Sequence, residues 1–251
     1  MRLVTYSHAR SGSRLGVETQ ARTIQDLTAT LGVTDVGEML ARGITVGDVE
    51  DLRMRTQVYE PGEVELQAPI RRPGKIICIG LNYHDHCREQ GVEPPAYPML
   101  FSKFANAVSN PGASVTRPVT TEQLDLECEL AVIIGGRASR IGPAEAPDAI
   151  FGYTILNDVT MRDLQREDRQ WLRAKGSDGF APMGPAVVTP DELGDPGSLA
   201  IRSSVNGETW QDSTTAEMVF DIFTLVAFAS RTITLEPGDV IASGTPAGVG
   251  H

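Results

Sequence analysis

Three stretches of this 251-residue chain place ionisable side chains at spacings that suit chemistry. In Leu124-Asp125-Leu126-Glu127-Cys128-Glu129-Leu130-Ala131-Val132 polar and apolar residues alternate strictly. On a β-strand that alternation puts Asp125, Glu127 and Glu129 on one face and Leu124, Leu126, Cys128, Leu130 and Val132 on the other. Neighbours on one strand face sit about 6.5–7 Å apart, and carboxylates that close raise one another's pKa unless solvent or a cation intervenes. Two readings follow: a solvated outer face of an antiparallel strand, or a compensating cation. The apolar run Phe151-Gly152-Tyr153-Thr154-Ile155-Leu156-Asn157-Asp158 ends in a further carboxylate, which either completes an oxygen ligand set or caps a following helix. Glu127, Glu129 and Asp158, with no suitable Cys/His spacing, form a hard oxygen set that suits Mg2+, Mn2+ or Ca2+ rather than zinc or copper.

The second stretch is Tyr83-His84-Asp85-His86-Cys87-Arg88-Glu89, which holds two of the four histidines; the others are His8 and His251. On a helix His86 and Glu89 share a face, so Glu89 can accept from one ring nitrogen and leave the other as a base. An exposed helix with an incidental ion pair fits the same residues, and His84 points elsewhere. In the third stretch Arg162, Arg166, Arg169 and Arg173 recur as one helical stripe with Lys175 just beyond, suited to an anionic substrate. Pairing with Asp163, Glu167 and Asp168 on a solvated face accounts for most of these arginines, leaving one or two to reach a site. The loop Ser243-Gly244-Thr245-Pro246-Ala247-Gly248 can offer backbone N–H groups and a hydroxyl to a carboxylate.

These residues need elements to hold them. Residues 3–6 and 14–18 read as short strands, followed by amphipathic runs near 23–31 and 36–41, a small α+β unit over 1–60. Residues 61–74, rich in Pro and Gly, read as a linker to a larger unit over 75–251. There, 75–80 is a strand, and 82–91 a short helix capped by Asn82 and stopped by Gly91. Residues 99–104, 124–134 and 151–157 are strands, 162–173 a helix or ordered loop, and Val205-Asn206-Gly207-Glu208 a hairpin turn. Residues 216–230 form a core helix with Met218, Ile222, Leu225 and Ala229 on one face, ahead of a strand at 239–242. Many short strands with few helices favour a β-rich α+β fold over a doubly wound sheet.

Composition removes several function classes. Lys+Arg 22 against Asp+Glu 33 gives a net charge of −11, so no basic surface is available for nucleic acid or anionic membranes. The longest apolar stretches, near 131–134 and 219–229, are short or interrupted, and no apolar segment follows a basic start. Cys78, Cys87 and Cys128 show no CxxC spacing, which fits a reducing cytoplasm. GxGxxG, GxxxxGK[ST], GxSxG and HExxH are absent, which removes support for nucleotide cofactors and serine-nucleophile hydrolysis.

Taken in order, Gly80-Leu81-Asn82-Tyr83 with His86 and Glu89, Glu127-Cys128-Glu129-Leu130, Asn157-Asp158-Val159-Thr160-Met161-Arg162-Asp163-Leu164-Gln165, Trp171 to Lys175-Gly176, and Ser243-Gly244-Thr245-Pro246-Ala247-Gly248-Val249-Gly250 resemble the fumarylacetoacetate hydrolase family from about Lys75 onward. Met161 stands where small residues are usual in that family. The resemblance implies a twisted β-roll catalytic domain, usually a homodimer, with Mg2+ or a similar ion, acting on small anionic 2-oxo acids. By motif, the metal carboxylates fall on Glu127, Glu129 and Asp158, and the His–Glu pair on His86 and Glu89. The substrate-polarising groups fall on Gln165 and Lys175, and substrate contacts on Arg162, Thr245 and Lys103. Asp125 is not a family ligand. The implied reaction is hydrolytic cleavage of a C–C bond in a 2,4-dioxo acid of the acylpyruvate or fumarylpyruvate type. Alternatives are an oxaloacetate-type decarboxylase, an isomerase of aromatic-degradation intermediates, or a non-catalytic module, against which the intact site set argues. Because the family continues past such a Gly-Val-Gly turn with strands that complete the roll, the sheet is expected to lack those strands beyond His251.

Overall fold

The structure is a computed structural model, and it describes residues 1–9, 11–52 and 56–250; His251 lies outside the described residues. Its centre is an 11-stranded sheet. From one edge the order is Val58–Tyr59, Ile24–Asp26, Arg14–Glu18, Arg2–His8, Ala186–Val188, Ile150–Asn157, Cys128–Ile134, Val240–Ala242, Ile76–Gly80 and Met99–Lys103, with Val64–Gln67 pairing Arg2–His8 off this path. Its pairings are antiparallel except that of Val240–Ala242 with Ile76–Gly80, so the fold is α+β and strand-rich, as expected.

The strand Cys128–Ile134 explains how this sheet is held. Leu130, Val132 and Ile134 join a core with Ile77, Ile79, Ile241 and the helix Ile222–Ser230, while Ala131 and Ile133 join another with Leu3, Val17, Val36, Met39 and Val187. Both faces are therefore covered, which is why this segment reads as a continuous apolar run. The second core mixes residues from before 60 and after 75, and the expected linker contains the strand Val64–Gln67 registered on Thr5–His8. No break in the sheet marks the boundaries at 60 and 74.

Several elements differ from expectation for identifiable reasons. The 124–134 run breaks into Leu124–Asp125, which pairs Thr160–Met161, and Cys128–Ile134, because the Glu127 N–H turns to Asn157 Oδ1 (3.0 Å). The helix carrying His86 is His84–Gln90; it ends as expected at Gly91 (φ 64°), but Tyr83 precedes it and Asn82 does not cap it. Asn82 is buried, and its amide instead joins Ser243 O (2.8 Å) and Phe220 O (3.1 Å) while accepting from Phe220 N–H (3.0 Å). The arginine segment is two short helices, Arg162–Glu167 and Leu172–Lys175, so the stripe is broken. The core helix begins only at Ile222, where Asp221 caps Thr224 N–H (2.7 Å), and Met218 precedes it. The hairpin Ala200–Val205 with Glu208–Thr214 turns at Asn206 and Gly207, both at positive φ, as its sequence predicts.

Candidate metal and catalytic site

Two strand ends and one loop converge on the carboxylates. Asp158 follows the strand Ile150–Asn157 and is tied to the acidic strand by Asp158 N–H donating to Glu127 O (2.9 Å). Glu129 accepts from Gly244 N–H (3.0 Å). Gly244 has φ +95°, and a Cβ there would stand 2.9 Å from Asn82 Cβ, so glycine is required for the loop to come this close. Glu127, Glu129 and Asp158 are 5%, 1% and 0% exposed, and one carboxylate oxygen from each lies within 4.8 Å of the others. The outer-face reading of the acidic run is thereby overturned: Asp125, Glu127 and Glu129 point inward, continuing the face that carries Ala131 and Ile133, while Leu124, Leu126 and Cys128 are only half-buried.

Cations from elsewhere in the chain answer these charges. The Lys175 ammonium donates to Glu127 Oε2 (2.9 Å), Asp158 Oδ2 (2.9 Å) and Thr160 Oγ1 (2.7 Å), which uses all its protons. Arg162 pairs with Asp125 Oδ2 through Nε (2.7 Å) and with Glu127 Oε1 through Nη1 (2.6 Å), and Nη1 also donates to Gln165 Oε1 (2.9 Å). Burial alone would raise Glu127, but Lys175 and Arg162 outweigh it and hold the carboxyl at about 2. Burial also acts against a charged Lys175, yet Asp158 and Glu127 prevail and raise its pKa above the usual lysine value.

Among the described residues Glu129 has no ion-pair partner, and burial with Asp158 and Glu127 beside it pushes its carboxyl well above the usual range. Lys103 stands 2.6 Å from Asp158 Oδ1, yet its three ammonium protons go to the carbonyls of Val159, Lys175 and Phe180, so that oxygen accepts no hydrogen bond. A carboxylate without an ion-pair partner beside a carboxylate oxygen that accepts no hydrogen bond fits a divalent cation held by Glu127, Glu129 and Asp158.

A cavity of about 320 Å³ opens over this cluster, lined by His86, Glu127, Arg162, Gln165, Lys175 and Thr245 of the expected set. Its remaining wall is largely apolar, with Ile79, Leu81, Val92, Phe101 and Trp171. Trp171 packs edge-on to Phe101 (5.3 Å between centroids), and a Cβ at Gly80 would fall 2.7 Å from its ring. His86 Nδ1 is 2.8 Å from Glu89 Oε2, and Glu89 Oε1 accepts from Gly248 N–H (2.8 Å). The pair is thus fixed from behind, and among the described residues Nε2 has no hydrogen-bond partner.

The polar ends of two expected substrate contacts are engaged within the protein. Lys103 is not on the cavity wall: its ammonium is fully buried beneath Asp158 because three carbonyls converge on it. The Thr245 hydroxyl donates to Cys128 O (3.0 Å), so its one proton already serves the acidic strand. Of the arginines only Arg162 is buried; Arg166 touches the cavity rim while Arg169 and Arg173 are exposed. Sequence reasoning passed over Thr160, Gln211 and Asp85. Asp85 Oδ1 accepts from His86 N–H (2.7 Å) and Ala247 N–H (3.3 Å), and its Oδ2 from Ser213 Oγ (2.5 Å), joining the His86 helix to two other segments. Its place beside His86 was the available signal.

Comparison with known proteins agrees with this geometry. Residues 75–251 match the family model described as fumarylacetoacetate (FAA) hydrolase C-terminal. Over all of this chain and 82% of its own length, a mitochondrial oxaloacetate tautomerase of Bos taurus is 42% identical. Among solved structures, a fumarylacetoacetate hydrolase from Exiguobacterium antarcticum superposes with a TM-score of 0.89 at 38% identity, covering 100% of this chain and 88% of that one. A maleylpyruvate hydrolase from Sphingobium sp. SYK-6, solved with manganese(II) and pyruvate, gives 0.84 at 32%, covering 100% and 90%. With a family model matched over residues 75–251, a relative 42% identical over the whole chain and a solved structure superposing at a TM-score of 0.89, the chain belongs to the fumarylacetoacetate hydrolase family.

Proposed function

We propose that this chain is a divalent-metal-dependent enzyme that hydrolyses a C–C bond in a 2,4-dioxo acid of the acylpyruvate type and releases pyruvate or a related 2-oxo acid. The observation that carries the reading is the His86–Glu89 pair, a base held at one nitrogen on the wall of a cavity whose floor is Glu127. Mg2+ is the expected ion, with Mn2+ or Ca2+ as substitutes; held by Glu127, Glu129 and Asp158, it would supply Lewis-acid polarisation of the 2-oxo group.

The chain's own groups do the rest. With Nδ1–H committed to Glu89, His86 Nε2 takes a proton from water, and the hydroxide adds to the distal carbonyl. The Gln165 amide N–H2, which has no acceptor among the described residues, donates to the developing oxyanion. Lys175 can add a second donor only by exchanging one of its three present partners. Arg162 Nη2 is buried without an acceptor and answers the substrate's carboxylate. As the C–C bond breaks, the imidazolium of His86 returns its proton to the departing carbon. A carboxylic acid and a 2-oxo acid leave.

A second reading is interconversion of the keto and enol forms of oxaloacetate, favoured by the 42% identity to a tautomerase over the full chain. In it His86 moves a proton between carbon and oxygen and no water is consumed. Acetylpyruvate, fumarylpyruvate and oxaloacetate, each assayed with Mg2+ or Mn2+ and after chelation, separate the two. Pyruvate released from the dioxo acids supports hydrolysis, enol decay in oxaloacetate alone supports tautomerisation, and full activity after exhaustive chelation defeats both.

A further inference from the structure

We propose that Gln211 is a positioning residue for the carboxylate site, its side chain supplying a rung that the sheet ladder lacks at Cys128. The proposal rests on reading Glu127, Glu129 and Asp158 as a metal site. The strand Cys128–Ile134 pairs with Val240–Ala242 only over Ala131–Ile133, and Ser243 N–H donating to Leu130 O (3.0 Å) adds a last backbone bond. At Gly244 the positive φ turns the chain away. Cys128, two residues further back, has Asn157 opposite it on one side, and among the described residues no strand pairs with it on the other.

Side chains fill that gap. Cys128 N–H donates to Gln211 Oε1 (3.0 Å), and Cys128 O accepts from Thr245 Oγ1 (3.0 Å). Gln211 Nε2 donates to Thr245 Oγ1 (2.7 Å) and Pro246 O (2.9 Å), while Oε1 also accepts from Ser203 Oγ (2.9 Å). A backbone N–H can only donate and a proline carbonyl can only accept, so the two ends of the Gln211 amide are assigned without ambiguity. Gln211 is 0% exposed, and both its donors and both oxygen lone pairs are in use.

The chemistry at stake follows from which peptides are held. The Cys128 N–H belongs to the peptide that joins it to Glu127, and its C=O to the peptide that joins it to Glu129. Gln211 holds the first directly and the second through Thr245, so it sets where both carboxylates start. Outer groups that orient metal ligands typically change metal affinity 10–100-fold when removed. Gln211 lies on the hairpin strand Glu208–Thr214, far in sequence from every motif that suggested the site.

The test is Mn2+ binding to the full-length protein by electron paramagnetic resonance, together with hydrogen exchange of the Cys128 amide. Q211M keeps the length of the side chain and removes its hydrogen bonds. It is expected to weaken Mn2+ binding about 10–100-fold and to speed exchange at Cys128 roughly tenfold, with the circular dichroism spectrum retained. S203A, which removes only the hydroxyl behind Oε1, is expected to leave both readouts near wild type. Wild-type Mn2+ affinity in Q211M overturns the proposal. So does an equal loss in S203A, because hairpin packing rather than the amide would then carry the effect. If Q211M does not fold, Q211N, one methylene too short to span Cys128 and Thr245, is expected to give the same two losses, and wild-type values there overturn the proposal. A wild-type protein that takes up no Mn2+ defeats the metal reading instead, and exchange at Cys128 then decides the rung by itself: unchanged exchange in Q211M overturns it.

Discussion

The acidic run around 124–130 and the arginine-bearing run around 162–173 look alike as sequence, since each repeats one charge at a regular interval, yet the protein treats them oppositely. Asp125, Glu127 and Glu129 are all buried, whereas Arg166, Arg169 and Arg173 stay in solvent and Arg162 alone goes inside. The difference lies in where compensation comes from. Arg173 finds Asp168 five residues away (2.7 Å), an exposed pair of the kind that contributes little. The acidic run has no basic residue within it, so its partners are brought from elsewhere in the chain, Arg162 and Lys175. Charge that is balanced locally remains a surface; charge that is balanced only by the fold marks a site.

Substitutions can break or sharpen that contrast. The largest effect is expected from Glu129→Gln, which keeps the shape of the carboxylate in the cluster that has no ion-pair partner among the described residues. Turnover of the 2-oxo acid should fall roughly a thousandfold, and Mn2+ should no longer raise the thermal midpoint, while the metal-free protein unfolds no earlier than wild type. An unfolding midpoint that still climbs with Mn2+ would remove Glu129 from the ligand set. Next, Lys175→Met strips Glu127 and Asp158 of a shared cation inside the protein. Losing one partner of a buried pair costs about 3–5 kcal/mol, which calorimetry should record as a fall in midpoint on the order of 10 °C. His86→Ala acts on chemistry rather than stability: hydrolysis should slow by about a hundredfold or more with the fold intact, and unchanged rates would end the base assignment. At the small end, Arg173→Ala should leave the thermal midpoint within about 1 °C. A larger drop would erase the contrast between the two runs.

The ordered motifs made much of the site legible from sequence. His86 meets Glu89 because a short helix sets residues three apart on one face, and the carboxylates of Glu127, Glu129 and Asp158 come together, Glu127 at the break between two strands and Asp158 just past a third. What could not be read was anything that depends on two distant segments. Asn82 looks like a helix cap, and only the fold brings Ser243 and Phe220 to its amide. Lys103 looks like a substrate lysine, and only the fold closes three carbonyls around it. The strand Val64–Gln67 sits in a Pro- and Gly-rich stretch whose composition says connector, and its pairing with Arg2–His8 is a tertiary event.

The place of that first strand in the sheet also bears on how the protein is made. Leu3 pairs with Val187, so one flank of Arg2–His8 waits for a partner that is synthesised much later. At about 5–20 residues per second the delay is on the order of ten to forty seconds. In that interval Arg2–His8 can pair with Arg14–Glu18 and Val64–Gln67, whereas the stretch facing Ala186–Val188 is an open edge of the nascent chain. On the ribosome, that edge stays bare until Ala186–Val188 has emerged.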